Sequence, residues 1–276
     1  MTNLFVTLLN AAGRLVNDGG LANAGNIALS LLLSLFPFMI LIATLADIWG
    51  EPEVLEQILV LVFDHWPAGS AGPIAEQVKV VLSQASGQLF TISNAIALVL
   101  ATNGIESARD GLNRAYRFSE TRNFVYRRLQ GCFFVLVAAL ALMVAAIILV
   151  ATPVVWAFLV KQLPWVSEFG FAVGTIQFGM AFLLLWGALF AFHDFLPNGT
   201  HKRGEVVWGV LLSIICIIVG SQGFAFYLKN FANYATLYAG LAGVMIAIVY
   251  LYFFAVVILF GAEFNASLKE ARKETE

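Results

Sequence analysis

Long apolar stretches alternate with short polar segments along most of this chain. A bilayer core about 30 Å thick needs roughly 20 apolar residues in helical conformation to cross it. The pattern therefore predicts an all-α polytopic membrane protein, a bundle of six transmembrane helices, with residues 1–276 forming a single integral membrane domain. The spans are expected near residues 24–46, 88–106, 130–157, 169–192, 206–228 and 238–262. The second span is the most polar of the six.

Residues 51–86, between the first two predicted spans, follow a different pattern. Apolar residues recur there at helical spacing on both sides of a break that contains Pro67, Gly69, Gly72 and Pro73. We expect two amphipathic helices on the outer, periplasmic side, either lying on the bilayer or capping the bundle.

The composition supports a membrane protein. The chain is 61% hydrophobic and 12% charged, with a mean hydropathy of +0.87, whereas a soluble domain is roughly half apolar and about a quarter charged. The net charge is only −2, so bulk charge gives no reason to expect a nucleic-acid partner.

The positive charges are unevenly distributed along the chain. Six of the 15 Lys and Arg residues fall in the basic segment 107–128, and with both termini inside, the inner segments carry 12 of the 15. Segments rich in Lys and Arg stay in the cytoplasm. The distribution predicts a cytoplasmic basic segment and two cytoplasmic termini.

Polar residues form a stripe along the first predicted span. Asn23, Asn26, Ser30, Ser34 and Pro37 are spaced so that they share one helix face. One interpretation is interhelical hydrogen bonding with a proline kink. The other is a face lining a water-filled cavity, with further polar residues from the second span. The candidate cavity-lining residues are Asn26, Ser30, Ser34, Pro37, Asn94 and Asn103.

The second span continues into a charged extension. Thr102, Glu106, Arg109, Asp110 and Asn113 are expected to share a face, and ion pairs are expected between Glu106 and Arg109 and between Asp110 and Arg114. The extension is either a self-neutralised helix at the membrane boundary or a binding site for an anionic head group or substrate. The candidate binding residues are Glu106, Arg109, Asp110, Asn113, Arg114 and Arg117.

Two further features predict packing. Small residues at Gly209, Ser213, Cys216, Gly220 and Gly223 form a stripe on the fifth span, where another backbone can approach closely. Near the end of the last span, Glu263 is a candidate for a structural ion pair with an arginine of the 106–128 region.

Catalytic signatures are missing from the sequence: there is no paired-His metal motif, no Gly-rich phosphate loop and no GxSxG elbow. His193, Asp194 and His201 are weak candidates for proton transfer or metal binding. We expect no enzymatic activity, no cofactor and no metal site.

Several short motifs, in order, resemble the YihY/BrkB family of bacterial inner-membrane proteins, formerly called ribonuclease BN-like. The matching stretches are residues 34–38, 111–116 with Glu120, Arg122 and Arg127-Arg128, Leu-Pro-Asn at 196–198, and 250–252 followed by 261–266. The family's Tyr-Gly-Ser-Leu is here Tyr238-Ala239-Gly240-Leu241. The resemblance implies a multi-pass inner-membrane protein with six helices and two cytoplasmic ends.

Three functional hypotheses follow. The leading one is a non-enzymatic permease, or a protein that handles lipids or small anions, with a cavity open toward the cytoplasm and membrane lipids as partners. The second is a structural or scaffolding protein for envelope integrity, with a possible homo-oligomer joined through glycine seams. The third, least favoured, is a membrane-bound ribonuclease.

Overall fold

The computed structural model describes residues 4–48, 90–199, 203–231 and 241–273, and within these ranges the chain is helical without any strand. A short 3-10 helix, Pro164–Phe169, connects the fourth and fifth α-helices. The α-helices are α1 (Leu4–Asn17), α2 (Gly20–Ile48), α3 (Phe90–Ala115), α4 (Phe124–Gln162), α5 (Gly170–Phe195), α6 (Arg203–Phe231) and α7 (Leu241–Lys273).

Five helices in the described ranges are long and apolar enough to cross a membrane: α2, α4, the 3-10 helix with α5, α6 and α7. This confirms the all-α, multi-pass prediction. The second predicted span corresponds to α3, which is not among the five; it contains Asn94 and Asn103, and its second half carries charges such as Glu106 and Arg109. The count of six spans stays a prediction. The expected amphipathic helices of residues 51–86 lie outside the described residues.

The basic segment 107–128 is mostly helical. Helix α3 continues to Ala115 and α4 begins at Phe124, so only the turn and loop of residues 116–123 separate them. Asn123 caps α4 by accepting a hydrogen bond from the backbone N–H of Tyr126 at 2.7 Å. Four of the six arginines, Arg109, Arg114, Arg127 and Arg128, therefore lie on helices, and Arg117 and Arg122 lie in the loop.

The sequence analysis does not predict helix α1, because Asn10 and Asn17 give the N-terminal region a polar character. Thr7, Ala11 and Leu15 recur at helical spacing and form its buried face. Gly19, with a φ of +73°, supplies the left-handed turn into α2. Helix α1 packs mainly against α7, and Arg14 pairs there with Glu270.

Helix α7 lies at the centre of the packing, in contact with α1, α2, α3 and α6. One apolar cluster joins α2, α3, α4 and α7, and a second joins α5, α6 and α7. Helices α2 and α3 share the most extensive interface. Small residues permit this approach: a Cβ at Gly111 would come within 2.9 Å of Ile27 and 3.0 Å of Leu259.

Helices α6 and α7 cross with their backbones in close contact. A Cβ at Gly209 would collide with the carbonyl oxygen of Gly261, and one at Gly261 would collide with Ser213 Oγ. A Cβ at Gly220 would collide with the ring of Phe253. The small-residue stripe of α6 thus packs within the chain along most of its length. Gly223, its last member, has open space around its Cβ position.

We predict that Gly209→Val destabilises the protein, whereas Gly223→Val on the same helix does not. Adding a side chain to a closely packed interface costs about 1–3 kcal/mol or more, because the two backbones must separate. Thermal unfolding of the purified protein in detergent measures the difference. Equal midpoints for the two variants would contradict the close crossing of α6 and α7.

Candidate functional site

Charged and polar side chains gather at one end of the bundle. We call this the arginine-rich end; it comprises the second half of α3, residues 116–123, the first two turns of α4, and the side chains of other helices that contact them. Ionisable groups at the edge of an apolar bundle need partners, because leaving them unpaired in a low-dielectric setting is costly.

Arg109 is fully buried and forms an ion pair with Glu106, as the sequence predicted. Glu106 also pairs with Arg127 of α4, with 3.2 Å between carboxylate oxygen and guanidinium nitrogen. Arg109 Nη2 in turn donates to the carbonyl oxygen of Arg127 at 3.1 Å and to Gln130 Oε1 at 3.3 Å. One carboxylate thus binds two arginines and joins α3 to α4.

Glu120 anchors the loop between α3 and α4. Arg122 donates to it from Nη2 at 2.7 Å and from Nε at 2.8 Å, and Asn113 Nδ2 donates at 3.0 Å. These bonds to Arg122 and Asn113 favour the ionised form and lower the pKa of Glu120 from 4.5 to about 2. Arg122 also donates to the carbonyl oxygen of Leu196 at 2.9 Å, which ties the loop to the end of α5.

The Leu-Pro-Asn stretch, residues 196–198, adds further contacts between this loop and the end of α5. The backbone N–H of Asn198 donates to Asn113 Oδ1 at 2.6 Å. The side-chain amide of Asn198 donates to the Ser119 carbonyl oxygen at 2.7 Å and to Thr121 Oγ1 at 2.8 Å. Two stretches far apart in sequence, 111–116 and 196–198, are therefore in direct contact.

Arg117 connects the loop to two other helices. Its guanidinium lies 2.7 Å from Glu263 of α7 and 2.6 Å from Asp18 at the end of α1. The predicted ion pair of Glu263 with an arginine of this region is confirmed. Arg117 has a φ of 59°, the left-handed conformation that ends α3 and turns the chain toward α7.

A buried hydrogen-bonded chain links Tyr116, His193 and Asn265. The Asn265 amide donates to the Tyr116 hydroxyl at 3.0 Å, while Asn265 Oδ1 accepts from the Gly209 N–H at 2.6 Å. The Tyr116 hydroxyl also forms a hydrogen bond with His193 Nδ1, with 2.8 Å between the two atoms. Burial raises the pKa of Tyr116 well above its ordinary value.

The polar stripe of α2 lies against α3. Ser107 Oγ donates to Ser30 Oγ at 2.7 Å, and Ser34 Oγ accepts from the Gly104 N–H at 3.0 Å. This matches the hydrogen-bonding interpretation of the stripe. Pro37 lies within α2, half-buried. The cavity-lining role of these residues stays a hypothesis.

Several other candidate cavity-lining and binding residues are exposed or lie outside the described residues. Asn26 and Asn103 are exposed, and the side chain of Asn94 lies outside the described residues. Asp110 is exposed and lies at the edge of the face that it was expected to share with buried Arg109 and Asn113. Arg114 is also exposed, and the expected Asp110–Arg114 pair is not among the ion pairs of the described residues.

A partly open pocket of about 240 Å³ lies at the arginine-rich end, between the loop, α6 and α7. Tyr116, Phe118 and Asn265 form uncharged parts of its wall. Its charged lining residues are Arg117, Glu205, Lys269 and Glu270. Sequence reasoning identified only Arg117 in this set, because the others lie in α6 and α7, far from the basic segment in sequence.

The described residues contain no group of three or more His, Cys, Asp or Glu side chains arranged to hold a metal ion. His193 and Asp194 end α5, and His201 lies outside the described residues.

Comparison with known proteins gives a consistent assignment. The family model described as "Virulence factor BrkB" matches residues 11–276. The chain is 27% identical to "Putative ribonuclease-like protein YfkH" of Bacillus subtilis over 92% of each chain. It is 26% identical to a "UPF0761 membrane protein" of Alteromonas mediterranea, over 94% of this chain and 86% of the relative. No solved structure matches the chain.

We predict that the stabilising effect of Glu120 depends on pH. Its folded pKa of about 2 is below the ordinary 4.5, so its contribution is complete above about pH 4.5 and is lost as the pH falls toward 2. Glu120→Gln should therefore lower stability most at neutral pH, with a difference from the native protein that shrinks below about pH 4.5. Unfolding in detergent between pH 7 and pH 3 measures this difference.

Glu168→Gln, at an exposed position beyond the far end of α4, is the matched control. Its stability should equal that of the native protein at each pH. A destabilisation by Glu120→Gln that stayed the same from pH 7 to pH 3 would show that the carboxylate charge is not the cause.

Proposed function

This chain belongs to the BrkB family of membrane proteins, and on that premise we propose that it is a non-enzymatic permease or lipid-handling protein. The pocket at the arginine-rich end is the observation that carries the proposal. It combines a volume of about 240 Å³ with cationic side chains, Arg117 and Lys269, at the edge of an apolar bundle. A charged ligand or lipid head group can reach such a site from the interface while its apolar part stays beside the helices.

The proposed orientation places the arginine-rich end in the cytoplasm of a bacterial inner membrane. The excess of Lys and Arg in segments at this end supports it. Both termini then lie on the cytoplasmic side, and the pocket opens toward the anionic inner leaflet. A reporter fused to the C-terminus and found in the periplasm would reverse this orientation.

The structure separates the roles of the arginines first considered for binding. Arg109 is fully buried and paired with Glu106, so we assign it a structural role. Arg114 is exposed and is positioned for weak attraction to anionic head groups. Arg117, with 37% of its side chain exposed, contributes directly to the pocket wall.

Movement of charged molecules across liposomes tests the proposal. We expect purified protein to scramble a labelled phospholipid or to admit small anions such as phosphate. Lys269→Gln should slow that movement about tenfold, because a charge-assisted hydrogen bond is worth about 1.5–3 kcal/mol. Lys161→Gln, exposed near the opposite end of α4, is the matched control and should leave the rate unchanged.

Folding of each variant is verified by its unfolding midpoint in detergent before reconstitution. Folded native protein that moves neither the labelled lipid nor the anion would sink the proposal. Equal slowing by Lys269→Gln and Lys161→Gln would show that the pocket has no specific role in this movement.

A second candidate is scaffolding through α5. Only 6% of the apolar window in Trp165–Phe195 is buried within the chain, against 33–44% in the other four candidate spans. Gly179 and Gly187 have open space at their Cβ positions, so a second copy of the helix could approach closely there. A cysteine at exposed Leu183 should then cross-link two copies in membranes, and its failure to do so would remove this candidate.

We do not extend the ribonuclease-like name of the Bacillus relative to this chain. His193, one of the sequence candidates for proton transfer or metal binding, is fully buried and hydrogen-bonded to Tyr116.

A further inference from the structure

We infer that the pocket binds a group carrying both a protonated amine and a phosphate, with phosphoethanolamine as the simplest example. Two sources share this chemistry, a free solute and a lipid head group. This inference rests on the proposed function, because it names the ligand class of the same pocket.

The balance of charges in the pocket wall favours a zwitterion over a simple anion. Arg117 and Lys269 supply two positive charges to the wall, and Glu205 and Glu270 supply two negative charges. Behind the wall, Asp18 and Glu263 contact Arg117, and Arg14 contacts Glu270, so these partners add one more negative charge than positive. A small anion bound against the cations would also lie near two carboxylates, and this repulsion weakens binding. A ligand with both charges presents a favourable partner to each half of the wall.

The amine is expected at Glu205. Its carboxylate lines the pocket with 18% of the side chain exposed, and Lys269 Nζ lies 3.3 Å from its Oε2 atom. A ligand ammonium can donate to the accessible part of this carboxylate, since a carboxylate has room for several donors. The stacked rings of Tyr116 and Phe118, 6.1 Å apart at 24°, line the same pocket, and aromatic faces attract cations.

The phosphate is expected at Lys269 and Arg117. Lys269 has 36% of its side chain exposed, and its ammonium carries three donors, so a phosphate oxygen can be bound while the contact with Glu205 is kept. Arg117 is held in place by Glu263 and Asp18. The positive charge of Arg117 is thereby preorganised at the pocket wall, which limits the entropy lost on binding.

Binding to the full chain in detergent tests the ligand class with three probes: O-phosphoethanolamine, inorganic phosphate and ethanolamine. We expect O-phosphoethanolamine to bind more tightly than either fragment. Glu205→Gln should weaken its binding about tenfold, and so should Lys269→Gln, since each removes one charge-assisted contact. Inorganic phosphate should bind more weakly to Lys269→Gln and more tightly to Glu205→Gln, because the second variant removes a carboxylate that repels it.

Glu168→Gln and Lys161→Gln, one acidic and one basic position outside the arginine-rich end, are the matched controls. Neither should change binding of O-phosphoethanolamine. If inorganic phosphate binds as tightly as O-phosphoethanolamine, and Glu205→Gln changes nothing, the pocket is a simple anion site and the inference is overturned.

Liposomes of two compositions distinguish the source of the ligand and separate this inference from the proposed function. Scrambling of phosphatidylethanolamine that is slowed by Glu205→Gln identifies a lipid head group. Binding of O-phosphoethanolamine without such scrambling identifies a free solute. Scrambling of phosphatidylglycerol alone, with no binding of O-phosphoethanolamine, overturns the inference and leaves the proposed function intact. If the protein neither binds O-phosphoethanolamine nor moves any lipid or anion, both the inference and the proposed function are overturned.

Discussion

The arginine-rich end depends on one constraint: a guanidinium buried at the edge of an apolar bundle must be neutralised by a nearby carboxylate. Arg109 is fully buried, and Glu106 on the same helix compensates its charge and also pairs with Arg127. Removing one partner of such a buried pair costs about 3–5 kcal/mol, because the remaining charge has lost its compensation. The joint between α3 and α4 therefore sets the position of the loop that follows α3.

That loop determines the shape of the pocket. Glu120 and Arg122 fix it to the end of α5, while Arg117 fixes it to α7 and α1. Most of the arginines that first suggested an anion site are thus engaged in structural contacts. The pocket is left with a smaller and balanced set of charges. Its ligand chemistry follows from Glu205 and Lys269 at least as much as from the arginine cluster.

How much the sequence predicts depends on the range of each interaction. Hydrocarbon-length apolar stretches are a local signal, and the predicted spans near 130–157, 169–192 and 206–228 all coincide with observed helices. The Glu106–Arg109 pair is likewise local, three residues apart on one helix. The hydrogen-bonded chain joins Tyr116 to His193, 77 residues away in sequence, and to Asn265, 149 residues away. No spacing rule relates such positions, because tertiary packing alone brings them together.

A double-mutant cycle on Glu106 and Arg109 tests the central claim most directly. The stabilities of Glu106→Gln, Arg109→Gln and the double variant are compared with the native protein in detergent at neutral pH. The account predicts a coupling of about 2–3 kcal/mol, with the double variant less destabilised than the sum of the single ones. Single effects that add within about 0.5 kcal/mol would contradict it.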